Sequence, residues 1–326
     1  MSTLLDPAVL QAVADLERIQ VDHPVLRRSE LIARGIDDSL CTAMIRRGGL
    51  TRLRHGIYAL SHLAATTDPV ERHRLDLAAA IASARDPVWA FGASAALTRS
   101  MPLPFAVPSE LGLVRGSGLD ERSLRQPSRH RLVIPDARIV TGPVPELSDD
   151  VVRGVRVVAP ALAALSAAAA LTSRRWQTAL FDAALWQGAT RDELTTLIDQ
   201  WRHLGGRDRL LVSLGRARMG AQTVLETLSR LALVEQGLPE PILQHAFHDE
   251  EGLIGYVDMW WPELNVIGEA DGAIKYESKA DLLKEKHRED RLRARGPAVV
   301  RWDLRSIQEA PQVVAERIRR ASRWAA

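Results

Sequence analysis

Asp258, Glu269 and Asp271 fall in one stretch, YVDMWWPELNVIGEADGAIK, which runs from Tyr256 to Lys275. The stretch reads as two short strands around a turn at Pro262-Glu263-Leu264-Asn265. Val257, Met259, Trp260, Val266 and Ile267 are strand formers, and Pro and Asn mark the turn. With the turn centred between Glu263 and Leu264, Asp258 faces Glu269. Directly opposed antiparallel residues carry their Cβ atoms about 5 Å apart on one face. Period two puts Asp271 on the face of Glu269. Carboxylates so close raise one another's pKa or require a cation. Mg²⁺, or Mn²⁺ in its place, takes one or two carboxylates and keeps waters and phosphate oxygens. A metal held this way prepares water for attack on a phosphodiester. The plainer reading is an acidic, solvated hairpin edge; the flanking bulk argues instead for interior strands.

The neighbouring elements decide what those carboxylates meet. A helix over Gln222–Gln236 turns Leu225, Leu228, Leu231 and Ala232 inward, with Glu226 at the edge of that face. Glu226 is either a surface glutamate or a fourth carboxylate brought to the hairpin. A strand over Ile242–Phe247 leads into Tyr256. After Asp271-Gly272 and Lys275 comes a long polar helix, Ser278–Ala294. On it Lys284, His287, Arg288, Arg291 and Arg295 recur at spacings of three and four. Glu285, Glu289 and Asp290 offer them internal partners, so the stripe reads as a salt-bridged face or as a surface that tracks phosphates. A strand over Val299–Leu304 and a helix over Pro311–Trp324 close the chain. His245 and His248 point to opposite faces of their strand and make a poor metal pair. Trp260 and Trp261 read as core and turn packing.

Helix, carboxylate-bearing strands, basic helix and strand, in that order, resemble the PD-(D/E)XK nuclease core. More narrowly, ETLSRLALVEQGLPEP, YVDMWWPELNVIGEADG and REDRLRARGPAVVRW are similar to domains related to very-short-patch-repair endonucleases, over about Gly220 to Ile307. The resemblance implies a Mg²⁺-dependent endodeoxyribonuclease. Asp258 and Glu269 would hold the metal, Asp271 would stand in the second carboxylate position among the ligands, and Glu226 would assist. Lys284, Arg288 and Arg291 would hold phosphates. The family pattern puts a lysine two residues after the glutamate, to orient water and offset transition-state charge. This chain has Asp271 there, and Lys275 is the residue placed to substitute.

The N-terminal region carries a second kind of chemistry. Helices are expected over Pro7–Gln20, Ser29–Arg34 and Ser39–Arg47, the last opened by Asp37 or Asp38 and stopped by Gly48-Gly49. Leu40, Met44 and Ile45 should face inward, and Thr42, Arg46 and Arg47 outward. Leu50–Arg54 and Ile57–Leu60 form a hairpin about His55-Gly56. This is the order of a winged helix-turn-helix, with Arg46, Arg47, Arg52, Arg54 and His55 along one side for phosphate contact. The run LIARGIDDSLCTAMIRRGGLTRLRHGIYAL resembles the N-terminal winged helix of AbiEi-type antitoxins, over about Leu4 to Leu60. That resemblance implies a repressor that binds double-stranded DNA, with a cognate toxin or defence protein as partner.

Between these ends, Pro69–Ala84 and Ala93–Arg99 read as helices, and Glu110–Val114 and Arg131–Ile134 as strands. Arg122, Arg125, Arg129, His130 and Arg131 form a basic cluster, most simply a solvated loop. Helices follow over Val157–Leu171, Ser173–Trp186 and Arg191–Leu204. Gly205–Gly220 is Arg- and Gly-rich; composition alone leaves linker and phosphate-tracking segment open.

The chain has 326 residues, 46% of them hydrophobic, and a net charge of +2. That is enough for two or three domains with real cores. A sequence pI of about 8.9 fits local basic surfaces. Cys41 is the sole cysteine, which excludes a disulfide framework and a cysteine metal site. No uncharged apolar run reaches the about 18 residues a membrane helix needs, and no leader pattern opens the chain. A soluble, cytoplasmic protein is expected. The expected fold class is α+β (mixed α/β): a winged helix-turn-helix over 1–62, a middle α+β region over 63–150, a helical connector over 151–215 and a nuclease-like domain over 216–326. The expected function is a DNA-binding, metal-dependent endonuclease in phage defence or DNA processing. The alternative is an antitoxin-like repressor on a weak or inactive nuclease fold.

Overall fold

The computed structural model describes residues 7–18, 23–115, 137–140, 148, 150–200, 206–271 and 279–324. The chain is mixed α+β and divides into two compact units, Met1–Leu171 with Asp192–Gly205 and Thr172–Arg191 with Gly206–Ala326.

The first unit opens on α1 (Pro7–Glu17), which buries Val9, Ala12 and Leu16 along one stripe. There follow β1 (Leu26–Arg27), α2 (Arg28–Ala33), α3 (Asp38–Arg46), β2 (Leu50–Arg54) and β3 (Ile57–Leu60). Asp37 caps α3 by accepting the N–H of Leu40 at 2.8 Å. β2 and β3 pair antiparallel, and β1 adds to the other edge of β3. Gly56, with φ +70°, takes the left-handed turn position that an L side chain resists. Leu16, Leu26, Leu31, Met44, Leu50 and Leu60 close one core. This arrangement matches the expected helices and hairpin and is consistent with a winged helix. Ile45 is a correction: it is 38% exposed, because Cys41 and Met44 take the buried stripe of α3 instead.

The unit continues through α4 (Ser61–Ala64), α5 (Pro69–Ser83), β4 (Val88–Ala90), α6 (Gly92–Thr98), β5 (Leu111–Arg115), β6 (Ala137–Val140), β7 (Val151–Val152), β8 (Val155–Arg156) and α7 (Pro160–Ala169). β5 lies between β4, antiparallel, and β6, parallel. The basic cluster at Arg122–Arg131 and the strand expected at Arg131–Ile134 lie outside the described residues.

Next come α8 (Arg174–Trp186), α9 (Arg191–Gln200) and α10 (Arg207–Gly215). α10 takes up Arg207–Gly215 of the segment that composition leaves open. Its Leu210 and Leu214 are buried, and Ser213 donates to Gln177 of α8 at 2.8 Å, so these residues are core helix of the second unit. The unit proceeds through α11 (Val224–Glu235), β9 (Ile242–Asp249), β10 (Gly252–Trp261), β11 (Val266–Ala270), α12 (Lys279–Ala294), β12 (Ala298–Trp302), α13 (Leu304–Glu309) and α14 (Pro311–Trp324).

Its sheet runs β12-β11-β10-β9, antiparallel except for β11 with β12, whose parallel pairing uses α12 as the crossover. Alternation sorts the faces. Met259, Trp261, Val300 and Trp302 pack with Leu228 and Leu233 of α11 and Ile318 of α14. Trp260, Ile267 and Val299 pack with Leu292 of α12. Trp261 is fully buried and donates its indole N–H to the carbonyl of Pro239 at 2.8 Å, as core packing requires. Gly268 is where Trp261 and Trp302 meet the strand. A Cβ there would lie 2.5 Å from the Trp302 ring and 2.7 Å from the Trp261 ring.

α8 and α11 share a buried charge pair. Asp182 and Arg230 are each 1% exposed and 3.2 Å apart. Asp182 also accepts from Thr227 at 2.7 Å and from the N–H of Arg218 at 2.7 Å, and Arg230 reaches Glu240 at 2.8 Å. Burial pushes the Asp182 carboxyl up, against the pull of Arg230 and these donors.

Candidate functional site

The hairpin register is the expected one. Met259 pairs with Gly268, Trp260 with Ile267 and Trp261 with Val266, which carries Asp258 to the level of Glu269. A single 3₁₀ turn at Pro262–Leu264 makes the reversal, and Asn265 at φ +52° completes it. The Asp258 carboxylate accepts the N–H of Ala270 at 2.8 Å and the side-chain amide of Gln244 at 3.3 Å. The same Gln244 amide donates to Glu226 at 3.1 Å. Gln244 thus ties the helix carboxylate to the strand carboxylate. Its own backbone sits at φ +48°, a left-handed position that costs a non-glycine residue energy.

Glu226 has a local role as well. Thr223 caps α11 and donates its hydroxyl to Glu226 at 2.9 Å, while the N–H of Gln222 donates to Glu226 at 3.0 Å. Thr223 also accepts the N–H of Glu226 at 3.2 Å; the sequence is Thr-x-x-Glu, but the backbone N–H that Glu226 accepts is one residue before the cap. Glu226 is therefore held at the helix start by ordinary end chemistry, yet it is buried and faces Asp258.

Glu269 has a different environment. Arg288 of α12 donates to it at 2.9 Å, and Arg301, its partner across the parallel β11–β12 pair, stands 3.2 Å away. Arg288 also donates to the carbonyl of Tyr256 at 2.7 Å. Arg291 is paired with Asp249 through its Nε at 2.7 Å, and with Glu251 at 3.7 Å. Arg288 and Arg291, expected to hold phosphates, are here ion-paired, Arg288 with Glu269 of β11 and Arg291 with Asp249 and Glu251 at the β9–β10 turn. The backbone of Lys284 belongs to α12. Lys275, the expected stand-in for the missing lysine, lies outside the described residues. Asp271 extends the ladder through its N–H to the carbonyl of Trp302 at 2.8 Å.

The expected face carries Asp258, Glu269 and Asp271. Among the described residues no three His, Cys, Asp or Glu side chains stand close enough to hold a metal together. Glu269 is paired with two arginines, Arg288 and Arg301. A divalent ion still suits the donor chemistry, since Asp258, Glu269 and Glu226 offer hard oxygens only. Asp258 is the group in need of one. Burial pushes its carboxyl up to about 6, Glu226 and Glu269 add to the rise, and the Ala270 N–H and Gln244 hold it down.

Sequence reasoning missed Gln244 and Arg301. Gln244 left no signal, because a glutamine in a strand does not announce a left-handed backbone. Arg301 left one: a charge inside the apolar run Ala298–Trp302 needs a buried partner. His245 belongs to an aromatic group, edge-on to Phe247 at 5.1 Å and stacked near Trp260 at 6.4 Å.

In the first unit, Arg46 and Arg47 stand exposed at the end of α3. Arg52 is exposed on β2 and shares a hydrogen bond of 2.8 Å with His55 at the hairpin tip. Arg54 follows it, half-buried. No helix among the described residues is long and apolar enough to cross a membrane.

Residues 14–61 match the model of a family described as a transcriptional regulator, AbiEi antitoxin. Two uncharacterized proteins of Mycobacterium tuberculosis, from strains CDC 1551/Oshkosh and H37Rv, are each 29% identical to this chain over 174 residues. The alignment covers 52% of this chain and 62% of each relative, less than two thirds of their length. No solved structure matches.

Proposed function

We propose that this protein is a DNA-binding transcriptional regulator of the antitoxin kind, which grips double-stranded DNA with α3 and the β2–β3 hairpin. The observation that carries the reading is the family match over residues 14–61 on a segment that presents Arg46, Arg47 and Arg52 to solvent. A helix end and a wing that offer guanidinium groups together fit two stretches of phosphate backbone. A cognate toxin or defence protein is its protein partner in this reading. Fluorescence anisotropy with duplex DNA from upstream of its own gene tests the DNA part. The full chain should bind it in preference to unrelated duplex, and Arg46→Ala/Arg47→Ala should bind at least about tenfold more weakly. Equal affinity of wild type and variant would end the proposal.

A second reading concerns the second unit. The order helix, three strands, helix, strand, with Asp258 level with Glu269, supports a PD-(D/E)XK-type endodeoxyribonuclease scaffold. Asp258 and Glu269 would hold Mg²⁺ or Mn²⁺ with Glu226 behind them. The ion, when bound, supplies activation of water and charge stabilisation at phosphorus. The chain's own residues work against rapid cleavage. Arg288 and Arg301 neutralise Glu269, and Asp271 stands where a lysine would offset transition-state charge. Gln244 fixes the spacing of Glu226 and Asp258. This reading is of a slow or non-cleaving nuclease scaffold. Plasmid nicking with Mg²⁺ or Mn²⁺ tests it: wild type should nick slowly and Asp258→Ala not at all. Equal nicking by both would remove Asp258 from the chemistry.

A further inference from the structure

We propose that the first unit contains a binding site for a small molecule that carries one anionic group on an aromatic or aliphatic body. The site is a cavity of about 870 Å³ beside the winged helix. That is within the range of roughly 300–1,000 Å³ typical of small-molecule pockets. One wall comes from the flanks of the wing sheet: Pro24 just before β1, and His62 and Leu63 just after β3. The opposite wall comes from α5 and from the turn between β7 and β8.

The charges in this cavity do not balance. Arg74 of α5 is 94% buried, and its guanidinium pairs on one side with Glu71. Its Nε–H is buried and has no acceptor among the described residues. A buried donor left unsatisfied is costly and marks a place where an acceptor belongs. Arg153, in the β7–β8 turn of the same wall, has its guanidinium 3.5 Å from the same Glu71. Among the described residues one carboxylate therefore serves two guanidinium groups, and one positive charge remains over. A planar guanidinium takes carboxylate, sulfonate or phosphate oxygens in pairs. Arg153 is held at φ +49° in the β7–β8 turn, a backbone strain that fixes where its side chain starts.

The remainder of the lining is apolar. Leu63 and Val151 are 37% and 62% exposed and stand on opposite walls, with Leu75 between them. Large aliphatic side chains turned to a half-open cavity gain by covering an apolar body. The surplus charge selects the anionic group, and the leucines and valine select what it is attached to.

The test uses 8-anilinonaphthalene-1-sulfonate, an aromatic anion, and N-phenyl-1-naphthylamine, its neutral counterpart, with the full chain. The anion should show one saturable site by fluorescence, and the neutral probe should bind at least about tenfold more weakly. Arg153→Asn, which keeps a residue that accepts left-handed backbone, should weaken the anion by about threefold to tenfold and leave the neutral probe unchanged. Leu63→Asp, at an exposed position, should abolish both signals. Absence of saturable binding, equal affinity for the two probes, or unchanged binding in either variant would overturn the proposal. None of these outcomes depends on DNA binding.

Discussion

Asp258 and Glu269 stand level on the paired strands β10 and β11, and among the described residues cations meet Glu269 alone, Arg288 at 2.9 Å and Arg301 at 3.2 Å. Asp258 receives hydrogen bonds from Ala270 and Gln244 but no counter-charge among the described residues, and burial with the nearby Glu226 and Glu269 lifts its carboxyl from the ordinary 3.8 to about 6. The sign of the stability effect follows. Below about pH 4 the group is protonated in both states. Between about pH 4 and about pH 6 the unfolded chain gives up its proton first, so rising pH destabilises the fold. With a chelator present, the unfolding free energy of Asp258→Asn should gain on wild type by on the order of 2 kcal/mol between about pH 4 and about pH 7. A constant difference across that range, in urea titrations at each pH, would show that Asp258 is not strained by ionisation.

Gly268 makes room for two indoles, and filling it should be felt through the whole sheet. A methyl group there would press on Trp302 at 2.5 Å and Trp261 at 2.7 Å. Both rings are pinned by their own N–H groups, Trp302 to Ser229 at 2.7 Å and Trp261 to Pro239 at 2.8 Å. Neither can swing away without losing a buried hydrogen bond. Gly268→Ala should therefore cost about 1–3 kcal/mol, read as a lower urea midpoint at unchanged slope. Unchanged stability would mean that the rings shift freely.

Much of the site's placement was legible from residue order alone. The Pro262–Asn265 turn fixes the hairpin register, and register fixes which carboxylates share a level, so Asp258 and Glu269 followed from strand periodicity. Asp37, Gly48 and Gly56 marked α3 and the wing hairpin for similar local reasons. What escaped was decided at long range. Arg288 and Arg301 could not be assigned to Glu269 without the parallel pairing of β11 with β12. Ile45 was expected inward because it is apolar, but α3 has one buried stripe, and Cys41 fits it. β1, only Leu26–Arg27, is too short to carry a period. α10 was not legible, with linker and phosphate-tracking segment both left open, because arginines and glycines obscured Leu210 and Leu214.

The Asp182–Arg230 pair joins α8 to α11 inside the second unit, where each partner is 1% exposed. Loss of one partner leaves the other charged, buried and uncompensated, which costs more than the pair contributes. Arg230→Met should destabilise by about 3–5 kcal/mol. Asp182→Leu/Arg230→Met should recover most of that, because no charge is then stranded. A double mutant no more stable than the single one would show that Thr227 and the Arg218 N–H, not the ion pair, hold this part of the core.

Salt dependence separates a DNA-binding winged helix from one that only packs. Arg46 and Arg47 lie at the end of α3, and Arg52 and Arg54 on the strand that follows it. Each phosphate neutralised releases counterions and adds about 0.9 to the slope of log affinity against log salt. Arg46→Ala/Arg47→Ala should lower that slope by nearly 2 if both residues contact phosphate. Arg52→Ala should lower it by nearly 1, and it also frees His55 from a 2.8 Å hydrogen bond at the hairpin tip. The mutation should act alike on specific and unrelated duplex, because phosphates carry no sequence. Thr42 is exposed on α3; its hydroxyl donates to the carbonyl of Asp38 at 2.7 Å and its oxygen can accept from a base edge. Thr42→Ala should instead narrow the gap between specific and unrelated DNA while leaving the slope unchanged. A slope that is flat in wild type would mean that this surface does not hold nucleic acid.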